Sequence, residues 1–269
     1  MIHGLRNDFL YLALKIDVEF INSKSDTAKM EGTAFIVKNK KGELCLITNR
    51  HVVDLSYKKT EAKWADFKCN EIVIHCKEMD EKGLPSNDHL LLVGNPEDFK
   101  FPINYQNDVA CLKNFMVKSF DGSEPKINYN LDFKDIATKN ELISQISICD
   151  QIAFPGFPTW HDHRNKLAIF RTGTIASDPR FNYSYNGEDN GEVLAYEGFS
   201  FAGSSGSPVF AIQKGIKISS DSLNISGGDF RRVMLIGVNA GHLPEKGVID
   251  THSGISFFYK SSVILELID

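Results

Sequence analysis

Three serines, Ser204, Ser205 and Ser207, lie in the stretch FAGSSGSPVF from Phe201 to Phe210, interleaved with Gly203 and Gly206 and closed by Pro208. A serine hydroxyl is a weak nucleophile until an imidazole takes its proton and backbone amides hold the oxyanion that its attack creates. Glycines beside the serine let those amides approach, so the stretch has the composition of a nucleophile loop. It equally has that of an ordinary Gly/Ser turn, and partners elsewhere must decide. His51 closes the apolar run LITNRHVV, where a side chain can project from the rigid end of a sheet; a lone histidine there is more often structural. Asp108 opens the run DVACLK, and a carboxylate entering such a strand is costly to bury unless it accepts strong hydrogen bonds, for instance from an imidazole. The plain alternative is a strand cap. Taken together the residues run His, Asp, Ser, one of the chain orders in which acyl-transfer triads occur.

Two other constellations compete. GFSFA, Gly198 to Ala202, is a near match to the G-x-S-x-G elbow of α/β hydrolases and would make Ser200 the nucleophile. That elbow needs a helix directly after the serine, and FAGSSGSP is hostile to one. TWHDHRN offers His161 and His163 around Asp162, with His242 as a further metal candidate, but no third ligand is indicated and a solvated loop is the simpler reading. No metal or cofactor is expected. Trp64 and Trp160 read as half-buried packing aromatics.

The elements that must position these residues read as strands. Short runs rich in Val, Ile, Phe and Thr, separated by turn clusters, recur along most of the 269 residues, the pattern of an all-β sandwich or barrel. Thr33 to Val37 and Leu44 to Thr48 flank a polar loop ending in Gly42, a hairpin by composition. Further runs lie at Glu71 to Cys76, Asp108 to Leu112, Gln151 to Phe154, Leu167 to Ile175, Val193 to Tyr196, Pro208 to Ile212 and Met234 to Asn239. The polar segment Lys118 to Asn140 divides the strands into two groups, Ser219 to Asp229 reads as a mobile surface loop, and KSSVILELID predicts a short helix capped by Ser261 or Ser262.

Composition excludes several classes. The net charge of −5 argues against a phosphate-backbone binder, so no nucleic acid is expected. No apolar stretch approaches the ~20 residues needed to cross a bilayer, and no membrane association is expected. In MIHGLRNDFLYLALKIDVEF, Asp8 precedes the apolar patch and Lys15 interrupts it, so this segment predicts a first strand and not a signal peptide. The five cysteines are odd in number, form no CxxC pair and mostly sit in apolar runs, which predicts reduced core thiols and a cytoplasmic protein.

The segments GTAFIV…LITNRHVV, NDVACLK, GFP followed by GTIAS, and GSSGSPVF followed by LIGVNAG resemble those of trypsin-like peptidases of the chymotrypsin fold, most nearly bacterial single-domain members. The resemblance runs from about Thr33 to the C-terminal helix. It implies an all-β protein of two packed antiparallel β-barrels with a short C-terminal helix: an N-terminal barrel over 1–117 carrying His51 and Asp108, a linker over 118–140, a C-terminal barrel over 141–258 carrying Ser205, and the helix over 259–269. It implies a serine endopeptidase, with His51 as general base, Asp108 as its orienting carboxylate, Ser205 as nucleophile, and the amides of Gly203 and Ser205 as oxyanion hole. The substrate would be a protein or peptide. Phe199, six residues before the nucleophile, would lie at the base of the primary specificity pocket, with Asn239 on its wall and Gly254 near its entrance. With no carboxylate at its base, that pocket implies uncharged residues before the scissile bond. Ser204 stands where zymogen-activated members carry an aspartate, which argues against that mode of activation, and Val52 follows His51 where extracellular members carry a cysteine. The alternative is a pseudoprotease, a binding module that is silent or waits for an activating partner protein.

Overall fold

The computed structural model describes residues 5–59, 61–82, 84–118, 126–215, 230–245 and 251–269. Its strands are β1 (Leu14–Ile21), β2 (Thr27–Lys38), β3 (Leu44–Thr48), β4 (Lys68–Met79), β5 (Pro85–Gly94), β6 (Phe99–Lys100), β7 (Ala110–Leu112), β8 (Phe115–Lys118), β9 (Gln151–Gly156), β10 (Ile169–Ile175), β11 (Val193–Glu197), β12 (Pro208–Ala211), β13 (Met234–Pro244) and β14 (His252–Lys260). Three short helices accompany them, α1 (Arg50–Val53), α2 (Lys139–Gln145) and α3 (Ser261–Ile268). The all-β class and the short C-terminal helix are as the sequence predicts.

The strands form two antiparallel sheets. The C-terminal one is a closed barrel in the order β10-β11-β14-β13-β12-β9, and the N-terminal one is an eight-stranded sheet in the order β6-β7-β3-β2-β1-β4-β5-β8. The second sheet curls around its own core until a Cβ on Gly94 of β5 would meet the Leu112 side chain of β7, but among the described residues no ladder joins β6 to β8. That half is therefore rolled but open in its hydrogen bonding.

Apolar alternation explains which faces meet. Leu14, Ile16, Val18 and Phe20 alternate along β1 and point into the N-terminal core with Ile36, Leu46, Ile74 and Leu112. In β2 and β3 the apolar run is continuous, because the opposite face is covered too: Phe35, Val37 and Ile47 meet Phe210, Leu235 and Val238 of the barrel, and α3 seals this layer with Val263, Ile264 and Leu267. The barrel interior holds Phe154, Leu194, Tyr196, Ile236 and Phe258.

Several local expectations shift. Neither serine caps α3: the cap position is Lys260, while the Ser261 hydroxyl donates to the Ala137 carbonyl at 2.6 Å. Within the segment expected to link the halves, 119–125 lies outside the described residues, and Lys139 already begins α2 behind a capping box formed by Thr138 and Glu141. The T-x-x-E spacing there was a legible signal. Ser219 to Asp229 lies outside the described residues. All five cysteines are free, but only Cys45, Cys76 and Cys111 are buried, and Cys149 is exposed. Trp160 is 66% exposed, not half-buried. No helix follows Ser200, and its buried hydroxyl accepts from Asn239 Nδ2 at 2.9 Å, which removes the α/β-hydrolase reading.

One buried ion pair ties the barrel's lower strands together. Asp150 accepts from Arg231 Nη1 at 2.5 Å, from Lys214 Nζ at 3.1 Å and from the Ser147 amide at 2.8 Å, and Arg231 also donates to the carbonyls of Gln145 and Ile212. Burial opposes the charge, but these donors together hold the Asp150 carboxyl below its ordinary range. Asp150→Ala leaves Arg231 buried without its counter-charge and is expected to lower the unfolding free energy by about 3–5 kcal/mol. Urea denaturation at neutral pH measures this, and a loss under about 1 kcal/mol would contradict it.

Candidate active site

The apolar run of β3 ends at Thr48, Asn49 turns extended, and Val52 and Val53 bury one face of the short helix α1. His51 therefore stands in the first turn of a helix and not at the strand end itself. The Asn49 side chain does not cap that turn. Its Nδ2 donates instead to the Asp108 carbonyl at 2.6 Å, and the His51 amide is satisfied by Asp108 Oδ1 at 2.9 Å. The other carboxylate oxygen, Oδ2, lies 2.5 Å from His51 Nδ1. Asp108 thus holds His51 by backbone and ring at once. With its side chain only 10% exposed, its oxygens depend on these donors in place of water. On the far side, the Tyr259 phenol of β14 makes a hydrogen bond with the Asp108 backbone, and Asn107 Oδ1 accepts the Glu192 amide at 2.8 Å, so both sheets brace this segment.

Burial alone would lower the His51 pKa, but the adjacent Asp108 charge and its hydrogen bond outweigh burial and the repulsion of Lys59 and Lys58 and raise it. His51 is 29% exposed at the side chain, open enough to exchange a proton with a bound molecule.

The glycine–serine stretch is a tight turn between β11 and β12. Gly203 and Gly206 have φ of +89° and +88°, where a Cβ would strike the Phe157 and Thr33 carbonyls respectively. Thr33 of β2 holds the turn from across the interface. Its amide donates to the Ser205 carbonyl at 2.8 Å, its hydroxyl donates to the Gly203 carbonyl at 2.8 Å, and that hydroxyl accepts the Phe157 amide at 3.1 Å. The amides that share those peptide units, of Ser204 and Gly206, donate to the Phe201 and Asn239 carbonyls at 2.9 and 2.8 Å, whereas the amides of Gly203 and Ser205 take no protein acceptor among the described residues. Ser204 and Ser207 are buried, their hydroxyls without a protein partner, whereas Ser205 reaches solvent. The Ser205 hydroxyl donates to the Ala240 carbonyl at 3.2 Å, so its proton is not directed at the imidazole. Thr33 is the residue sequence reasoning missed; a threonine opening an apolar strand gives no sign of what its hydroxyl meets.

Around this turn, Phe199 is 56% exposed, stacks on Phe201 and lies tilted against the His252 ring. Asn239 is fully buried; its amide takes the Tyr196 phenol and donates to Ser200 Oγ and the Ser204 carbonyl, so its side chain supports the wall from inside. Gly254, at φ +85°, gives its amide to His252 Nδ1 and its carbonyl to the Gly198 amide. His161 and His163 bond through one ring nitrogen each to the carbonyls of Pro158 and Thr159, and no group of three or more side chains able to hold a metal occurs among the described residues.

The family model described as a trypsin-like peptidase domain matches residues 32–216. The crystal structure of the protease Anisep from Arthrobacter nicotinovorans is similar over 97% of this chain and 95% of its own, with a TM-score of 0.55 at 12% identity, which is a likeness of fold. The crystal structure of Deg5 aligns over 96% of this chain and 87% of its own, with a TM-score of 0.46 at 16% identity. No curated protein matches the sequence.

Two outcomes follow from this geometry. His51 can accept a proton only when neutral, and its folded pKa is raised, so the acid limb of kcat/KM should lie above the ordinary imidazole value of about 6.5 and move downward in Asp108→Asn. A pH profile with the limb at or below that value would contradict the pairing. Thr33→Val preserves shape but removes the hydroxyl between Gly203 and Phe157; kcat should fall about 10- to 100-fold with little change in KM, and Thr33→Ser should restore it. Steady-state kinetics on a peptide substrate decides, and an unchanged kcat in Thr33→Val would show that the clamp is dispensable.

Proposed function

Because the chain belongs to the trypsin-like peptidase domain family and is a serine protease, we propose that it cuts peptide bonds with His51, Asp108 and Ser205 through an acyl-enzyme. The observation that carries this is that Asp108 holds His51 by amide and ring while Ser205 alone of the turn's three serines reaches solvent, with Gly32 lying against both Val52, next to His51, and the Ser205 carbonyl. His51 Nε2 takes the Ser205 proton as Oγ attacks the substrate carbonyl carbon, and the amides of Gly203 and Ser205 receive the oxyanion. Collapse breaks the C–N bond, with the proton passing from His51 to the leaving amine. Water, deprotonated by His51, then attacks the acyl carbon and Ser205 leaves with its proton restored.

Phe199 and Gly254 flank the position of the residue before the scissile bond, with Asn239 as internal support. Ser204, buried where zymogen-activated relatives would need a carboxylate, supports activity without N-terminal cleavage. The five free cysteines support a reducing, cytoplasmic setting. The bond from Ser205 Oγ to Ala240 favours one alternative, a resting state in which substrate or a partner protein must redirect the hydroxyl before turnover.

Ser205→Ala and His51→Ala should each lower kcat by several orders of magnitude, up to about 10⁶, and the double variant should cost little more, because the groups act as a unit. Ser204→Ala and Ser207→Ala should cost no more than about tenfold, which corresponds to ~1.4 kcal/mol. A fluorophosphonate probe should modify Ser205 and no other serine. Labelling at Ser200, or a Ser204→Ala loss equal to that of Ser205→Ala in a folded protein, would overturn the assignment; absence of labelling without a partner would select the partner-activated state.

A further inference from the structure

Beside the nucleophile turn lies a cation without a counter-charge. Arg171, on β10, stacks its guanidinium 4.5 Å from the centre of the Phe201 ring and donates to the Phe199 carbonyl at 3.3 Å. It is half-buried, and no carboxylate pairs with it among the described residues, although exposed Arg180, Lys40 and Arg6 each have one. Phe201 belongs to the same turn as the nucleophile, since its carbonyl accepts the Ser204 amide at 2.9 Å. The cation is thus fixed to the backbone leading into Ser205.

The rings around Arg171 leave an exposed apolar surface beside its guanidinium. Phe199 and Trp160 are 56% and 66% exposed, and Trp160 packs edge-on against Phe201. The neighbouring histidine adds no second charge. His252 has the Gly254 amide 2.9 Å from Nδ1 and the Ser200 amide 3.2 Å from Nε2, and donors facing both nitrogens oppose a ring protonated on both. Its pKa is lowered by burial and by the like charges that His242 and Arg171 would set beside it.

We propose that Arg171 is a specificity-determining residue that makes this protease favour an acidic side chain immediately before the scissile bond. The inference rests on the serine-protease reading of Ser205 and narrows the expectation of an uncharged residue there. The aliphatic part of a Glu or Asp side chain would lie on the exposed aromatic rings, and its carboxylate would supply the counter-charge that Arg171 lacks. Guanidinium donors match a carboxylate in geometry as well as charge, and partial exclusion of water strengthens the pair. A lysine or arginine at the same place would face an unneutralised like charge.

Acetylated tetrapeptide aldehydes, identical except for a terminal Glu, Asp, Gln, Leu or Lys, are competed against fluorophosphonate labelling of Ser205 in the full chain, each variant normalised to its own labelling without competitor. The Glu or Asp aldehyde should half-protect Ser205 at a concentration at least about tenfold below those of Gln and Lys, a factor ordinary for one charge-assisted contact. Arg171→Gln should erase that advantage, Arg171→Lys should retain part of it, and Arg171→Glu should transfer it to the Lys aldehyde. The proposal is overturned if acidic aldehydes protect no better than Gln in the wild-type protein, or if their advantage survives in Arg171→Gln. If Ser205 is labelled and the acidic preference is missing, the protease reading stands and only the specificity falls; if no labelling of Ser205 occurs, the reading of a protease active on its own falls in favour of the partner-activated or silent alternative, and the specificity falls with it.

Discussion

Thr33 is one side chain on one strand, yet the geometry of the glycine–serine turn depends on it. A peptide unit has two polar ends, and fixing the carbonyl fixes where the opposed N–H points. Thr33 takes the carbonyls of Gly203 and Ser205 from the interface side, through its hydroxyl and its amide, and Thr48 in turn donates its hydroxyl to the Thr33 carbonyl. These contacts fix the peptide units on either side of Ser205, while the unit that carries the Ser205 amide is set by Asn239, whose Nδ2 donates to the opposed Ser204 carbonyl at 2.9 Å. That arrangement needs left-handed backbone at Gly203 and Gly206, which only glycine adopts at little cost, and it needs the two sheets packed closely enough for Thr33 to reach. Preorganised donors of this kind cost no reorganisation when charge develops on the reacting oxygen.

The same logic governs the acid–base pair. A carboxylate as enclosed as Asp108 is expensive unless it is well solvated by protein donors. It obtains two from His51 alone, one from the backbone and one from the ring, and its own backbone is anchored by Asn49 and Tyr259. Because the backbone donor is the first-turn amide of α1, the helix start and the imidazole orientation are one constraint. The attraction between the two groups exceeds the burial that would otherwise discharge His51, so its pKa is held above that of a free imidazole.

These groups come from both sheets, and their separation is controlled by the apolar layer between them. Phe35, Val37 and Ile47 on one side and Phe210, Leu235 and Val238 on the other are fully or almost fully buried, so small displacements there would be felt as voids or overlap. Asn239, set in β13, links this layer to the turn by gripping Ser200 and Ser204 together, which explains why its amide is consumed internally although it borders the substrate side.

Much of the protein was legible without its fold. Alternation in LKIDVEFI and the continuous run of VLAY predict strands, because the pleat has a period of two and an interior strand has two covered faces. The residue types of His51, Asp108 and the serine turn, with the glycines that permit it, specify a chemistry, and Thr138-x-x-Glu141 marked a helix start that could have been read. Three matters were decided only by the tertiary structure. Which hydroxyl reaches solvent depends on neighbours far along the chain, and Ser204, Ser205 and Ser207 are equivalent until Gly156 and Thr33 are packed behind them. Whether His51 ends a strand or begins a helix was settled by a carboxylate contributed from another loop. That Arg171 has no carboxylate partner among the described residues can be seen only in the folded structure, because charge pairing, unlike helix or strand propensity, has no local signature along the chain.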